Sequence, residues 1–117
     1  MRRGEIWWAD LGPYRQMEQT GRRPVVVWQS DALIRVLRSV LVVPLTTNID
    51  RATLAGTAVI EPGDDGPPST SVALAFQMRA VPKQCLTERI RELSETELAE
   101  LELATDEALG RVEPPGR

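Results

Sequence analysis

Apolar residues fall in short runs broken by turn chemistry, which predicts many brief strands and little helix. Glu5–Asp10 (EIWWAD) alternates, with Ile6 and Trp8 on one side and Trp7 and Ala9 on the other. Pro24–Gln29 (PVVVWQ) and Val40–Leu45 (VLVVPL) are apolar without interruption, so both read as buried, central strands. Ala55–Glu61 predicts a weaker strand. Ser71–Met78 places Val72, Leu74, Phe76 and Met78 on one face of another, and Glu88–Leu93 predicts a short last strand. Two helices are signalled. Ser30 or Asp31 can cap a short one over Ala32–Leu37. Ser94-Glu95-Thr96-Glu97 is a capping box, and Leu98, Leu101, Ala108 and Leu109 continue at helical spacing to about Gly110. Leu11–Arg22 and Pro62–Ser69 are turn-rich loops. This order predicts a mainly β chain: a small, strongly bent antiparallel sheet or partial barrel with a C-terminal helix packed on it. One domain is expected over residues 1–111, with a short flexible tail over 112–117.

Chemistry concentrates where the first loop enters the second strand. Glu18-Gln19-Thr20-Gly21-Arg22-Arg23-Pro24 turns at Gly21 and presents two adjacent guanidiniums. Pro24 fixes its own φ and pushes Arg23 into extended geometry, so Arg23 is mounted on stiff backbone. The same arginine reads equally as a solubilising group at a strand end. Thr46 and Thr47 close the Val40–Leu45 strand, where they can also serve as local hydrogen-bonding caps. The 12-residue loop before Arg23 is long enough to suggest a function and is expected to be mobile, with Gly12 and Gly21 as hinges. Trp7, Trp8 and Trp28 could stack on bases, but their strand positions favour a place in the core.

Composition narrows the chemistry. The 117-residue chain has no histidine and one cysteine, Cys85. A structural zinc site is therefore not expected, and any acid–base step falls to carboxylates, hydroxyls or Arg. No cofactor or metal is expected. No apolar run approaches the roughly 20 residues of a membrane span, and the N-terminus lacks a signal-peptide core, so a cytoplasmic protein is expected. The net charge of −3 is uneven: residues 1–83 carry ten basic against eight acidic residues, and residues 84–117 carry four against nine. An anionic ligand is thus more plausible on the first part.

Four segments in register carry a family resemblance. They are Arg3-Gly4-Glu5-Ile6-Trp7 with Asp10-Leu11; Glu18 to Val27; Val43-Pro44-Leu45-Thr46-Thr47-Asn48; and Ser71-Val72 followed by Gln77-Met78-Arg79. Over residues 3–110 the chain resembles PemK/MazF-type toxins of bacterial type II toxin–antitoxin systems. The resemblance implies an SH3-like small barrel, a homodimer, metal-free cleavage of single-stranded RNA, and a cognate antitoxin whose acidic segment occludes the groove. By motif, Arg23 is the functional guanidinium and Thr46 the functional hydroxyl, with Glu18 as candidate base. Gln19, Arg22, Thr47, Asn48, Gln77 and Arg79 are expected along the RNA path. Three positions depart from the usual pattern: Phe76 replaces an acidic residue, Ala80 a hydroxyl residue, and Met17 a small one.

The residues suit that chemistry. Attack by the ribose 2′-oxygen needs alignment, stabilisation of a charged phosphorane and proton transfer, but no covalent enzyme intermediate. Arg stays protonated and offers a planar fork to phosphate oxygens. Glu18 also reads as a solvated loop carboxylate. Two other functions stay open on sequence: a CcdB-like toxin that binds DNA gyrase on the same barrel without cutting, and a homologue that binds RNA or antitoxin after losing catalysis.

Overall fold

The computed structural model describes residues 1–12, 21–64 and 66–114. Seven strands form one antiparallel sheet: β1 (Glu5–Asp10), β2 (Arg22–Val27), β3 (Ser39–Thr46), β4 (Thr57–Ile60), β5 (Ser71–Leu74), β6 (Arg79–Pro82) and β7 (Leu86–Glu92). Helix α1 (Asp31–Val36) follows β2, and helix α2 (Glu95–Ala108) ends the fold. The pairing order is β4-β5-β3-β2-β1-β7, with β6 on β3 as well. The expected mainly β architecture with a C-terminal helix is present. The sheet bends without closing, so it is a partial barrel.

Alternation along β2 explains the uninterrupted apolar run. Val25 and Val27 enter one core cluster with Ala9, Leu11, Val40, Val42, Val81 and Leu86, capped by Ile34 of α1. Val26 and Trp28 enter a second cluster with Ile6, Val43, Leu45 and Ile60, covered by Leu101 and Ala104 of α2. A strand buried on both faces has no polar positions to alternate with. Trp28 belongs to the core as expected, and its indole N–H donates to Thr105 Oγ1 at 2.9 Å, tying β2 to α2.

The first cluster is the interior of the partial barrel. Strands β6, β3, β2, β1 and β7 follow one another around it. The outermost two are joined by a single 3-10 turn at Lys83–Cys85. Because β6 and β7 are consecutive in the chain, that short turn brings the two ends of the curled sheet together.

The largest correction concerns Ser71–Met78. The strand stops at Leu74, a 3-10 turn runs over Ala75–Gln77, and β6 begins at Arg79. Both pieces use the same edge of β3: Leu45 and Thr46 pair with Ala73 and Val72, and Ser39 to Val42 pair with Pro82 to Arg79. The break falls opposite Val43-Pro44, and Pro44 has no N–H to give to a ladder. Side-chain alternation reports a face, not a pairing partner, so it runs through the break unseen. Phe76 lies on the turn and packs over Gly56 close to Ala108 of α2. Other boundaries differ by a few residues. The weak strand is shorter than Ala55–Glu61, and the helix after β2 is capped by Ser30, whose hydroxyl accepts from Leu33 N–H.

The capping box forms, and Glu97 does more than cap. It accepts from Ser94 N–H at 2.9 Å, from Glu61 N–H at 3.2 Å, and from both terminal nitrogens of Arg91 at 2.8 and 3.0 Å. One carboxylate thus joins α2, β7 and the end of β4. Burial alone would raise its pKa, but the Arg91 fork and the two backbone donors outweigh it and hold the group at about 2. A folded pKa below the unfolded 4.5 stabilises the protein above pH 4.5, and that stability is lost as pH falls towards 2. Glu97→Gln is expected to cost about 2 kcal/mol at pH 7 after solvent screening, with the gap closing below pH 3. Chemical denaturation of both proteins between pH 2.5 and 7 checks this.

Candidate active site

The site follows from strand register. Val25 pairs with Pro44 and Val27 with Val42, and continuing this register by two residues sets Arg23 opposite Thr46. Directly opposed residues share a face, so both project to the barrel-interior side, in line with Val25 and Val27. Ala9 of β1 pairs with Arg23 on its other side. Arg79 pairs with Val42, about 13 Å along β3 from Thr46 at roughly 3.3 Å per residue. Its long side chain reaches towards the same end, where Nη2 donates to the carbonyl of Leu11 at 3.2 Å. The end of β1, the start of β2, the end of β3 and the start of β6 therefore meet at one mouth of the partial barrel. Arg23 and Arg79 are half-buried there, and Thr46 is buried with 6% of its surface exposed.

Thr46 Oγ1 accepts from Asn48 N–H at 3.2 Å. That contact uses an oxygen lone pair and leaves the hydroxyl proton for donation to another acceptor. The local cap and the functional role are thus compatible in one side chain. Asn48 in turn caps a 3-10 turn over Ile49–Thr53, its Oδ1 accepting from Asp50 N–H. Thr47 and Asn48 are exposed beside Thr46, and Gln77 is half-buried on the 3-10 turn just before Arg79.

The base of the first loop is cinched at this mouth. Leu11 N–H donates to the carbonyl of Gly21 and Gly21 N–H to that of Gly12. Both glycines have positive φ, at 71° and 75°, where a side chain would be strained. Glu18 and Gln19, the candidate base and a candidate RNA contact, lie outside the described residues, as does Met17.

Arg22 is separated from Arg23. As its neighbour on a strand it faces the opposite side, where its guanidinium stacks 4.1 Å from the centre of the Trp8 ring and lies 3.6 Å from Glu88. The structure therefore sets Arg23 opposite Thr46, has Arg79 reach towards the same end, and leaves Arg22 apart. Trp8, expected in the core, is half-buried because it carries this stack. Phe76, packed towards α2, is likewise directed away from the Arg23 face. Asp10 ends β1 paired with Arg22, and the sequence did not single it out as functional. Its signal was the Asp-Leu-Gly turn after a strand, in which Asp10 Oδ1 accepts from Gly12 N–H at 3.1 Å. Among the described residues, no three side chains of metal-ligating type come together.

Residues 2–109 match the family model described as the PemK-like, MazF-like toxin of type II toxin–antitoxin systems. The chain belongs to this family. Among its relatives, the endoribonuclease MazF of Staphylococcus epidermidis is 36% identical over 110 residues, covering 94% of this chain and 92% of that protein. A probable MazF endoribonuclease of Mycobacterium tuberculosis is 38% identical over 108 residues, covering 89% and 92%. Two solved structures share the fold. MazF from Deinococcus radiodurans superposes with a TM-score of 0.75 at 27% identity, covering 94% of this chain and 96% of that one. A mycobacterial endoribonuclease in complex with its cognate antitoxin gives 0.79 at 24%, covering 97% and 99%. The PemK/MazF assignment, with these relatives, decides against the gyrase-binding alternative. No helix among the described residues of this toxin is long and apolar enough to cross a membrane.

Proposed function

We propose that the protein is a toxin endoribonuclease that cuts single-stranded messenger RNA through the substrate's own 2′-hydroxyl, without a metal ion, and is neutralised by a cognate antitoxin. The observation that carries this reading is the apposition of Arg23 and Thr46 across β2 and β3 on the barrel-mouth side. A fixed guanidinium and a hydroxyl with a spare proton are the donors that a developing phosphorane needs. Gln77 and Arg79 extend the polar surface along which the chain of phosphates would run. Glu18 is the proposed base, on sequence grounds. Membership of the toxin family and the names of the MazF relatives support both the activity and the antitoxin partner. The absence of histidine supports the metal-free route.

Purified protein incubated with total RNA is expected to release fragments with a 2′,3′-cyclic phosphate and a 5′-hydroxyl, at the same rate with and without a chelator of divalent ions. Loss of cleavage on chelation, restored by magnesium or manganese, would overturn the metal-free mechanism. A homodimer belongs to the same proposal. Leu33, Val36 and Leu37 on and after α1, and Ile49, Leu54 and Phe76 on and after the 3-10 turns, are large apolar side chains left exposed in one chain. Sedimentation at micromolar concentration tests it, and a single 13 kDa species with full activity would refute it.

A further inference from the structure

The seam between β6 and the end of β1 leaves a cavity of about 460 Å³. That lies within the roughly 300–1,000 Å³ of small-ligand sites. Leu11, Val81 and Pro82 give it apolar walls, Cys85 contributes a thiol, and Asp10 and Arg79 are its ionic groups. Apolar walls with a few convergent polar groups suit a flat heteroaromatic ring with polar edges. We propose that this cavity is a nucleobase subsite for a nucleotide of the bound RNA, and that Asp10 and Arg79 make it select guanine. The proposal rests on the endoribonuclease reading and adds which base the site takes.

The selection follows from donor and acceptor patterns. A carboxylate only accepts, so Asp10 favours an edge with adjacent donors, and guanine alone presents two, N1–H and the 2-amino group. Guanine O6 and N7 accept from an arginine fork. Cytosine and adenine set one amino donor beside a ring acceptor, and uracil sets its single N–H between two carbonyls, so each turns acceptors towards the carboxylate. Asp10 Oδ1 is steered by Gly12 N–H and Arg79 is tethered to the Leu11 carbonyl, so both edges of the cavity are anchored to the same Asp10–Gly12 turn. Ala80, which replaces the family's usual hydroxyl residue, also lines the cavity and adds no competing polar group.

The test uses a randomised single-stranded pool with 2′-fluoro sugars, which binds without offering a 2′-hydroxyl for cleavage. Wild type is expected to enrich guanine at one position, and Asp10→Asn to reduce that enrichment about 10-fold or more at that position alone. Asparagine keeps the Oδ1 acceptor for Gly12 N–H, so the turn is preserved while one acceptor becomes a donor. Cys85, the chain's only cysteine, supplies a second readout. Its labelling by N-ethylmaleimide is expected to slow several-fold with a guanine-containing 2′-fluoro oligonucleotide, and less when inosine, lacking the 2-amino group, replaces that guanine. Equal guanine enrichment by wild type and Asp10→Asn, or labelling of Cys85 unchanged by bound oligonucleotide, overturns the subsite while leaving the nuclease reading intact. Failure of the wild type to bind the pool or to cut RNA overturns the nuclease reading and the subsite with it.

Discussion

A single 2′-deoxy sugar at the cut position is expected to abolish cleavage of that bond while binding is retained. The chain has no histidine, Arg23 and Thr46 do not activate water at neutral pH, and Glu18, the proposed base, is assigned to the proton of the 2′-hydroxyl. The nucleophile closest to the phosphorus is then the adjacent 2′-oxygen, already held at the right distance by the sugar. Removing it removes the reaction and leaves most contacts to phosphate and base in place. Matched ribo- and mono-deoxy oligonucleotides, compared by gel for cutting and by fluorescence anisotropy for affinity, give the result directly. Efficient cutting at the deoxy position would require a water nucleophile and would refute the mechanism.

Arg23→Ala is expected to lower the cleavage rate by on the order of 10² to 10³ with the fold intact, the usual cost of removing one well-placed transition-state donor. Arg23 lies half-buried at the very start of β2, ahead of the core residues Val25 to Trp28, so its loss opens no core cavity. Arg23→Lys is expected to recover part of the rate, since it keeps the charge and loses the planar fork. Arg22→Ala serves as the internal control. Its side chain faces Trp8 and Glu88 on the opposite side of the strand, so its effect on the chemical step is expected to be small. Thr46 divides similarly: Thr46→Ser keeps the hydroxyl and most activity, and Thr46→Val loses the proton donor at similar volume. Single-turnover rates, with circular dichroism as the check on folding, separate these cases. Full activity in Arg23→Ala would return Arg23 to the role of a solubilising surface charge.

Much of this was legible along the chain. The apolar runs at Pro24–Gln29 and Val40–Leu45 announced central strands because a strand covered on both faces shows no polar alternation. The Ser94–Glu97 box announced the start of α2 because its partners are three residues apart. Arg23 and Thr46 could be named because Pro24 and the threonine pair mark strand ends locally.

What the linear order could not decide was which of these residues face one another. Arg22 and Arg23 are chemically alike and adjacent, and only the pleat of β2, read against Trp8 and Thr46, assigns them to opposite sides. The division of Ser71–Met78 into two strands depends on the edge of β3 and on Pro44, some thirty positions earlier in the chain. Glu97 was readable as a cap, but not as the group that accepts from Arg91 and Glu61, because those partners arrive from other strands. The cavity between Asp10 and Arg79 has the same origin: two residues far apart in sequence become neighbours only when β6 curls back towards the end of β1. Local propensity and periodicity act over a few residues, and so the sequence by itself determined the elements and the chemistry at their ends. Pairing, register and curvature arise from contacts between distant segments, and so the tertiary structure alone decided which of those ends form one site.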